Sequence, residues 1–425
     1  MSWTFKLAGG AAAAALLWAP SAWAAPADPI QAIVQGKPII GVRTRFEGVD
    51  QKGLAEVGEA LTMRTVVGWE TAAWRGVRGL VEIEDVSRLI GERYNIASPG
   101  VVGGSLNGKT AYPIINDPAM TELNRAQISW TAGPGLTLTG GRQRIIFDDQ
   151  RFVGSIAWRQ DEQTFDAVRA DFGLGRLKGT YAYVGQVNRV LGDKRDWDSD
   201  SHLLNAAYAF AAPLKLQGFV YALDFQNAPV SSTLTWGAKA SGKLKQGWLG
   251  LAYNATWARQ RDYRRNTGPF RLDDWSGDVA ATVDIWTVRA GFEVLDGDGT
   301  RGFIMPLSTA HAFNGWSDAF AAVGGNKTFP DGIRDLNLQL VVRPRLKLPY
   351  LFNTELLVRY HDFDGQRTGA DLGREWNAQA TAALTKHVSV ALKFADFKRA
   401  ASVPVGAATP PASRSKVWVT VEYRL

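Results

Sequence analysis

Apolar and polar residues alternate along most of this chain, in segments separated by residues typical of turns. In residues 334–345, for example, Leu336, Leu338 and Leu340 alternate with Asp335 and Gln339. A period of two places the apolar side chains on one face of a β-strand and the polar ones on the other. About eighteen segments show this pattern over roughly 9–11 residues, the length that a tilted membrane-spanning strand needs. The predicted strands are residues 37–47, 57–68, 73–83, 122–131, 136–146, 164–172, 177–187, 202–211, 214–225, 232–240, 248–260, 270–282, 285–295, 333–345, 353–363, 372–384, 388–397 and 416–425.

The connections between these segments alternate between short and long. Tight turns are predicted at residues 133–135, 173–175, 212–213, 242–246 and 386–387, and longer loops at 85–121, 226–231, 261–269, 296–332 and 398–415. Short turns at one end and long loops at the other are typical of outer-membrane barrels, whose long loops lie outside the cell. The predicted fold is therefore all-β: a transmembrane antiparallel β-barrel of about 18 strands, with short periplasmic turns and long extracellular loops.

The first 24 residues have the pattern of a secretory signal peptide. Lys6 precedes an apolar, alanine-rich run, and Ala22-Trp23-Ala24 forms an A-x-A cleavage site. The apolar run is shorter than the roughly 20 residues of a membrane-spanning helix. We expect cleavage after Ala24, which leaves residues 25–425 as a single barrel domain.

The most densely charged stretch is residues 140–167, GGRQRIIFDDQRFVGSIAWRQDEQTFDA. It is interpreted as a hairpin whose charged side chains face a water-filled lumen, and a salt-bridged surface hairpin is the alternative. Arg142 and Arg144 are out of phase with Thr137 and Thr139, which predicts a β-bulge at Gly140-Gly141.

Composition narrows the class of protein. The chain has no cysteine, so disulfides and thiolate metal sites are excluded. Its 16 Trp, 11 Tyr and 19 Phe favour a barrel with two aromatic girdles over the alternative, a soluble carbohydrate-binding all-β protein. We predict no cofactor, no metal and no nucleic-acid partner.

Enzymatic chemistry is poorly supported by the residues. The four histidines, His202, His311, His361 and His387, have no G-x-S-x-G motif near them, so no hydrolase triad is predicted. The segment Leu295-Asp-Gly-Asp-Gly299 lacks the spaced carboxylates and closing Glu of a calcium loop. We therefore expect a protein that is not an enzyme.

Basic residues outnumber acidic ones on the polar faces of the predicted strands. Either these charges only neutralise one another, or they form a pore lining that favours anions. The predicted pore-lining cations are Arg43, Arg45, Arg64, Arg78, Arg125, Arg169, Lys239, Arg289, Arg343, Arg345, Arg359 and Lys393. Their predicted acidic companions are Glu82, Asp171, Glu293, Asp335 and Glu355.

Several motifs resemble the alginate-export family of outer-membrane barrels. They are GGRQRIIFDDQRFVG, WRQDEQTFDAVRADF, SHLLNAAYAF, FVYALDF, PLSTAHAFNGWSDAF and GIRDLNLQL. The resemblance covers most of the chain after residue 24. It implies an eighteen-stranded, monomeric barrel in the bacterial outer membrane, with an arginine-rich pore that passes an anionic polysaccharide.

The expected function is an outer-membrane channel for anionic solutes, namely an anionic polysaccharide or a uronate saccharide. The alternative is a general anion-selective porin for small organic acids. The segment Ala310 to Trp316 folds inward as a constriction or forms an aromatic rim at the outer interface, and a packed loop structure is favoured because Phe313 and Trp316 flank Asn314-Gly315.

Overall fold

The computed structural model describes residues 25–97, 104–321, 328–346 and 348–425. The predicted signal peptide at residues 1–24 lies outside the described residues, as does part of the predicted loop at 85–121. No helix in the described ranges is both long enough and apolar enough to cross a membrane.

Eighteen strands account for more than half of the described residues. They are β1 (Lys37–Gln51), β2 (Gly58–Glu70), β3 (Val77–Arg88), β4 (Met120–Gly133), β5 (Leu136–Gln143), β6 (Thr164–Leu174), β7 (Leu177–Asn188), β8 (Trp197–Ala211), β9 (Leu214–Leu223), β10 (Thr233–Gln246), β11 (Leu249–Asp262), β12 (Arg271–Val283), β13 (Trp286–Leu295), β14 (Ile333–Val342), β15 (Phe352–Asp364), β16 (Asp371–Ala383), β17 (Val388–Arg399) and β18 (Arg414–Arg424). A short helix α1 (Pro29–Val34) precedes β1, and 3-10 turns occupy Asp193–Arg195, Pro229–Ser231 and Ala310–Ala312.

The sheet is closed by pairing of its first and last strands. Each strand pairs antiparallel with the next in the chain, and β1 pairs with both β2 and β18. Closure leaves no unpaired edge, so the backbone hydrogen bonds of the strands are satisfied within the sheet, as a lipid environment requires. All eighteen predicted strands are present, and the predicted fold class is confirmed.

Side chains alternate across the barrel wall as the period of two predicts. Leu336, Leu338 and Leu340 on β14 are exposed on the outer surface, whereas Asp335 and Gln339 are buried on the inner face. Outward-facing Trp69, Trp130 and Trp286 lie toward the ends of their strands, where aromatic side chains suit the membrane–water interface. The outer surface therefore has the composition that a bilayer requires.

Two local predictions are wrong. Residues 242–246 do not form the turn after β10, because the strand continues to Gln246 and the chain reverses at Gly247, whose φ of 58° suits glycine. The register of β5 is also continuous through Gly140 and Gly141, so no bulge is present there. The alternation of inward and outward side chains therefore continues along β5. Arg142 lies on the outer face, where it pairs with Asp166 at 2.8 Å. A register shift occurs instead between β3 and β4, where β4 has one extra residue, Asn124.

The stretch 140–167 is not a hairpin. It consists of the end of β5, a connection of residues 144–163, and the start of β6. The connection folds into the barrel, where Ile145, Phe147 and Val153 join a buried apolar cluster with Leu307 and Phe320 of the connection after β13. Local charge pattern could not reveal this, because the partners of the stretch are distant in sequence.

Candidate functional site

Two long connections enter the lumen and meet there. They are the β5–β6 loop (residues 144–163) and the β13–β14 loop (residues 296–332, of which 322–327 are not described). The backbone N–H of Gly154 donates to the carbonyl of Leu307 at 2.8 Å, and that of Thr309 donates to the carbonyl of Gln150 at 3.0 Å. The side chain of Gln163 also donates to the carbonyl of Leu307 at 3.3 Å. Because they share backbone hydrogen bonds, the two loops form one unit inside the barrel.

Arginines on β1 hold the β5–β6 loop against the wall. Arg43 donates through Nε to Oε1 of Gln160 at 2.9 Å and through Nη1 to the carbonyl of Ala157 at 2.8 Å. The guanidinium of Arg45 lies 4.1 Å from the ring centroid of Trp158 and donates to that residue's carbonyl. These contacts join residues more than a hundred positions apart and fix the loop with neutral acceptors.

Several buried carboxylates lie between the β5–β6 loop and the neighbouring strands, and three of them are Glu82 and Glu84 on β3 and Glu162 on the loop. Each of these three is bound by an arginine: Arg125 to Glu82 at 2.9 Å, Arg64 to Glu84 at 2.7 Å and Arg144 to Glu162 at 2.6 Å. A buried carboxylate that loses its partner is strongly destabilising. We infer that these arginines mainly neutralise acids.

The β13–β14 loop is held by acids of the wall. Arg151 of the other loop donates through Nε to Oε1 of Glu293 at 2.6 Å, and Asn314 donates to the second oxygen of Glu293 at 2.7 Å. The backbone N–H of Ser317 donates to Glu375 at 2.8 Å. The segment Ala310 to Trp316 is therefore packed inside the lumen, as the favoured prediction held, and does not form an outer aromatic rim.

A cluster of aromatic rings surrounds one lysine where both loops reach β17 and β18. Nζ of Lys393 lies 3.7 Å from the ring centroid of Trp316 and 4.0 Å from that of Trp158. It also donates to Nε2 of His311 at 2.7 Å. The imidazole of His311 stacks on Trp158 with centroids 4.1 Å apart, and its Nδ1 lies 3.0 Å from Asp318. Cation–π contacts and the hydrogen bond together fasten both loops to the wall.

Most of the predicted pore-lining residues lie on the inner face of the barrel. Several form pairs: Arg169 with Asp171 at 2.8 Å, Lys239 with Asp149 of the β5–β6 loop at 2.7 Å, Arg289 with Asp278 at 2.9 Å, Arg343 with Glu355 at 2.8 Å, and Asp335 with His361 at 2.8 Å. Arg78 shares the phase of the buried Glu82 but lies near the periplasmic end of β3 and is exposed.

One predicted pore-lining residue is misplaced. Arg345 lies beyond the end of β14, in the connection to β15, and its side chain is 78% exposed and pairs with Asp284. The predicted strand extended to residue 345, but it ends at Val342. Arg345 is therefore at the periplasmic rim and does not line the lumen.

Three lumenal arginines differ from the rest in their partners. Arg43 and Arg45 are bound by the neutral groups described above, and Arg359 donates through Nε to Oε1 of Gln339 at 2.7 Å. Within the described residues, no carboxylate lies within ion-pairing distance of Arg43, Arg45 or Arg359. Their positive charges are therefore not cancelled by a direct ion pair.

Sequence reasoning missed the neutral residues that position the loops. Gln160 accepts a hydrogen bond from Arg43 of β1, and Ser317 donates one to Glu375 of β16. Trp418 packs edge-on against Trp158, with ring centroids 5.6 Å apart. Gln160 lies inside the charged stretch, and Ser317 directly follows the Ala310 to Trp316 segment. No local signal marks these residues, because their roles depend on contacts across the lumen.

A closed, eighteen-stranded antiparallel barrel with an apolar outer belt, a polar interior and inward-folded loops defines an outer-membrane channel. The family model described as alginate export matches residues 116–267 of this chain. That region includes the stretch 140–167, so the family resemblance predicted from the sequence motifs is confirmed.

Solved structures of outer-membrane proteins have the same fold. Acinetobacter baumannii OccAB4 has a TM-score of 0.70 and 12% identity, with 94% of this chain and 100% of that chain covered. Pseudomonas aeruginosa OpdK, solved with vanillate, has a TM-score of 0.67 and 14% identity over 92% and 99% of the two chains. Pseudomonas aeruginosa OccK8 (OprE) has a TM-score of 0.66 and 14% identity over 93% and 99%. No curated protein sequence matches the chain.

Proposed function

We propose that this outer-membrane channel conducts anionic solutes, with uronate saccharides or an anionic polysaccharide as its main substrates. The observation that carries the proposal is the set of lumenal arginines Arg43, Arg45 and Arg359, which have neutral partners. A guanidinium presents a planar fork of donors that matches a carboxylate. Three such charges in a confined interior attract anions more strongly than they would in bulk water.

The match to the alginate export family between residues 116 and 267 supports a uronate substrate, since alginate is a polymer of uronates. A saccharide chain also carries one carboxylate on each uronate unit. Arg43 and Arg45 on β1 are buried against the β5–β6 loop, so they attract these carboxylates through their electrostatic field, whereas Arg359 on β15 is only partly buried and can contact one. Weak attraction of this kind permits the solute to leave as well as to enter.

A second candidate is a porin for small organic acids, and the inward loops favour it. The β5–β6 and β13–β14 loops are joined by backbone hydrogen bonds and tied to several strands, so they narrow the lumen. A narrow passage suits small carboxylates better than a polymer. The two candidates share the anion preference and differ in the size of the solute.

The deciding experiment is planar-bilayer recording of the purified barrel with oligouronates of increasing length and with neutral oligosaccharides of the same lengths. The main proposal expects brief, voltage-dependent block by oligouronates and none by the neutral sugars. If small carboxylates carry current but oligouronates neither enter nor block, the second candidate is correct. Cation preference in a salt gradient would contradict both.

A matched pair of variants tests the role of the lumenal charge. We expect Arg359→Gln to weaken oligouronate block about tenfold, the effect of losing one charge-assisted hydrogen bond of about 1.4 kcal/mol or more. Arg345→Gln is the control, because this side chain is exposed at the periplasmic rim. Equal effects of the two changes would mean that overall charge, and not the lumenal position, controls binding.

Two features of the mature protein are part of the proposal. We propose that residues 1–24 are removed as a signal peptide, which mass spectrometry of the purified protein tests through a mature N-terminus at Ala25. We also propose that residues 25–425 act as a monomeric single-domain barrel in outer-membrane lipid. Light scattering of the detergent-solubilised protein tests its oligomeric state.

A further inference from the structure

The outer face of β11 and β12 carries a ladder of directly opposed side chains toward its extracellular end. The register pairs Trp257 with Trp275, Arg259 with Asp273, and Arg261 with Arg271. These positions face outward, because the residues between them on both strands are buried on the inner face: Ala258, Gln260, Leu272 and Asp274.

The first two rungs of this ladder are complementary. The rings of Trp257 and Trp275 have centroids 6.1 Å apart. Arg259 and Asp273 form two parallel hydrogen bonds, each 2.7 Å long. Both contacts are among the cross-strand pairs that stabilise antiparallel sheets.

The third rung breaks the pattern. Arg261 and Arg271 are exposed and directly opposite one another, and directly opposed side chains have Cβ atoms about 4.5–5.5 Å apart. Like charges at this position are destabilising. Among the described residues, no carboxylate forms an ion pair with either arginine. An anion from outside the protein that bound to both arginines would remove this repulsion.

The position of Arg261 and Arg271 relative to the membrane indicates which kind of anion they could bind. Arg261 and Arg271 flank the connection from β11 to β12, which is on the side of the long, extracellular loops. They are four residues beyond the Trp257–Trp275 pair, about 13 Å along the strands at roughly 3.3 Å per residue. Outward-facing tryptophans mark the level of the lipid headgroups, so the arginines lie on the extracellular side of that level.

We propose that Arg261 and Arg271 bind a phosphate group of the glycolipid in the outer leaflet. Two guanidinium groups side by side can each donate two parallel hydrogen bonds to phosphate oxygens. The bound phosphate removes the repulsion between the arginines and fixes the glycolipid against β11 and β12. The site is on the outside of the barrel, so it does not depend on the solute that the lumen conducts.

The test measures binding of diphosphorylated lipid A to the purified, detergent-solubilised barrel by native mass spectrometry. We expect the double variant Arg261→Gln/Arg271→Gln to bind lipid A at least about tenfold more weakly than the parent, since it loses charge-assisted hydrogen bonds. The control is Arg374→Gln. Arg374 is also exposed on the outer face near the extracellular end, but it already pairs with Asp362 at 3.2 Å, so we expect unchanged binding.

Further probes keep the proposal falsifiable. The variant Arg261→Lys/Arg271→Lys keeps both charges but not the forked geometry, and we expect binding between those of the parent and the Gln variant. Lipid A without phosphates should bind the parent as weakly as lipid A binds the Gln variant. The proposal is overturned if the folded Gln variant binds lipid A like the parent, if dephosphorylated lipid A binds equally well, or if millimolar inorganic phosphate displaces lipid A completely. The last result would identify a general anion site.

Discussion

Arg43 and Arg64 occupy directly opposite positions on β1 and β2, yet they bind different kinds of partner. Arg64 donates through Nε to Glu84 at 2.7 Å, whereas Arg43 donates to Gln160 and to backbone carbonyls of the β5–β6 loop. Both side chains are buried on the inner face. One arginine therefore neutralises an acid, whereas its neighbour is not paired with one.

This difference predicts that replacement by glutamine has different effects at the two positions. Arg43→Gln should assemble and show reduced anion preference, because it removes a charge without leaving an unpaired acid. Arg64→Gln should destabilise the barrel by about 3–5 kcal/mol, the usual cost of removing one partner from a buried ion pair. Reversal potentials and the temperature of heat-modifiable migration measure the two effects. If both variants fold equally well, Glu84 does not depend on Arg64.

The proposed anion preference predicts how the parent channel responds to salt. In a salt gradient at low ionic strength, the reversal potential should show preference for the anion. The preference should shrink toward 1 M salt, where the screening length falls to about 3 Å. An anion preference that is independent of salt would mean that lumenal charge does not produce it.

The pair of Arg151 and Glu293 predicts a non-additive effect on stability. Arg151→Met leaves Glu293 buried with only Asn314 as a partner, and we expect a loss of about 3–5 kcal/mol. The double variant Arg151→Met/Glu293→Met removes both charges and should be more stable than Arg151→Met alone. Urea unfolding in detergent measures both. A double variant that is less stable than either single variant would argue against a direct interaction.

The hydrogen bond between Lys393 and His311 predicts the effect of releasing the loops. His311→Ala removes the acceptor for Lys393 and the stacking partner of Trp158. The β5–β6 and β13–β14 loops should then move more freely, so single-channel currents should be larger and noisier.

His387→Ala is the matched control for this variant. His387 is exposed at the turn between β16 and β17, and in the described chain it forms no hydrogen bond with the β5–β6 or β13–β14 loop. Its currents should match those of the parent. If folded His311→Ala has the same single-channel current and the same noise as the parent, other contacts suffice to hold the two loops.

The eighteen strands were predictable because each one separates two solvents. Each strand has lipid on one side and water or a polar loop on the other, so its apolar and polar residues alternate with a period of two. This period can be recognised in a single strand, such as Leu336 to Leu340, without knowledge of the neighbouring strands. The short turns and long loops were predictable for the same local reason. Errors occurred where the chain leaves the strand pattern, as at Gly247 and Arg345.

The lumen was decided by tertiary structure. Gln160 meets Arg43 across 117 positions, and Asn314 reaches Glu293 only because a loop turns inward. Sequence determined which arginines within the strands face the interior, since that depends on phase within one strand. Arg64 is paired with a carboxylate and Arg43 is not, and this difference depends on side chains that are distant in the sequence. Ion pairs form between residues that are close in space, so no periodic pattern in the sequence predicts them.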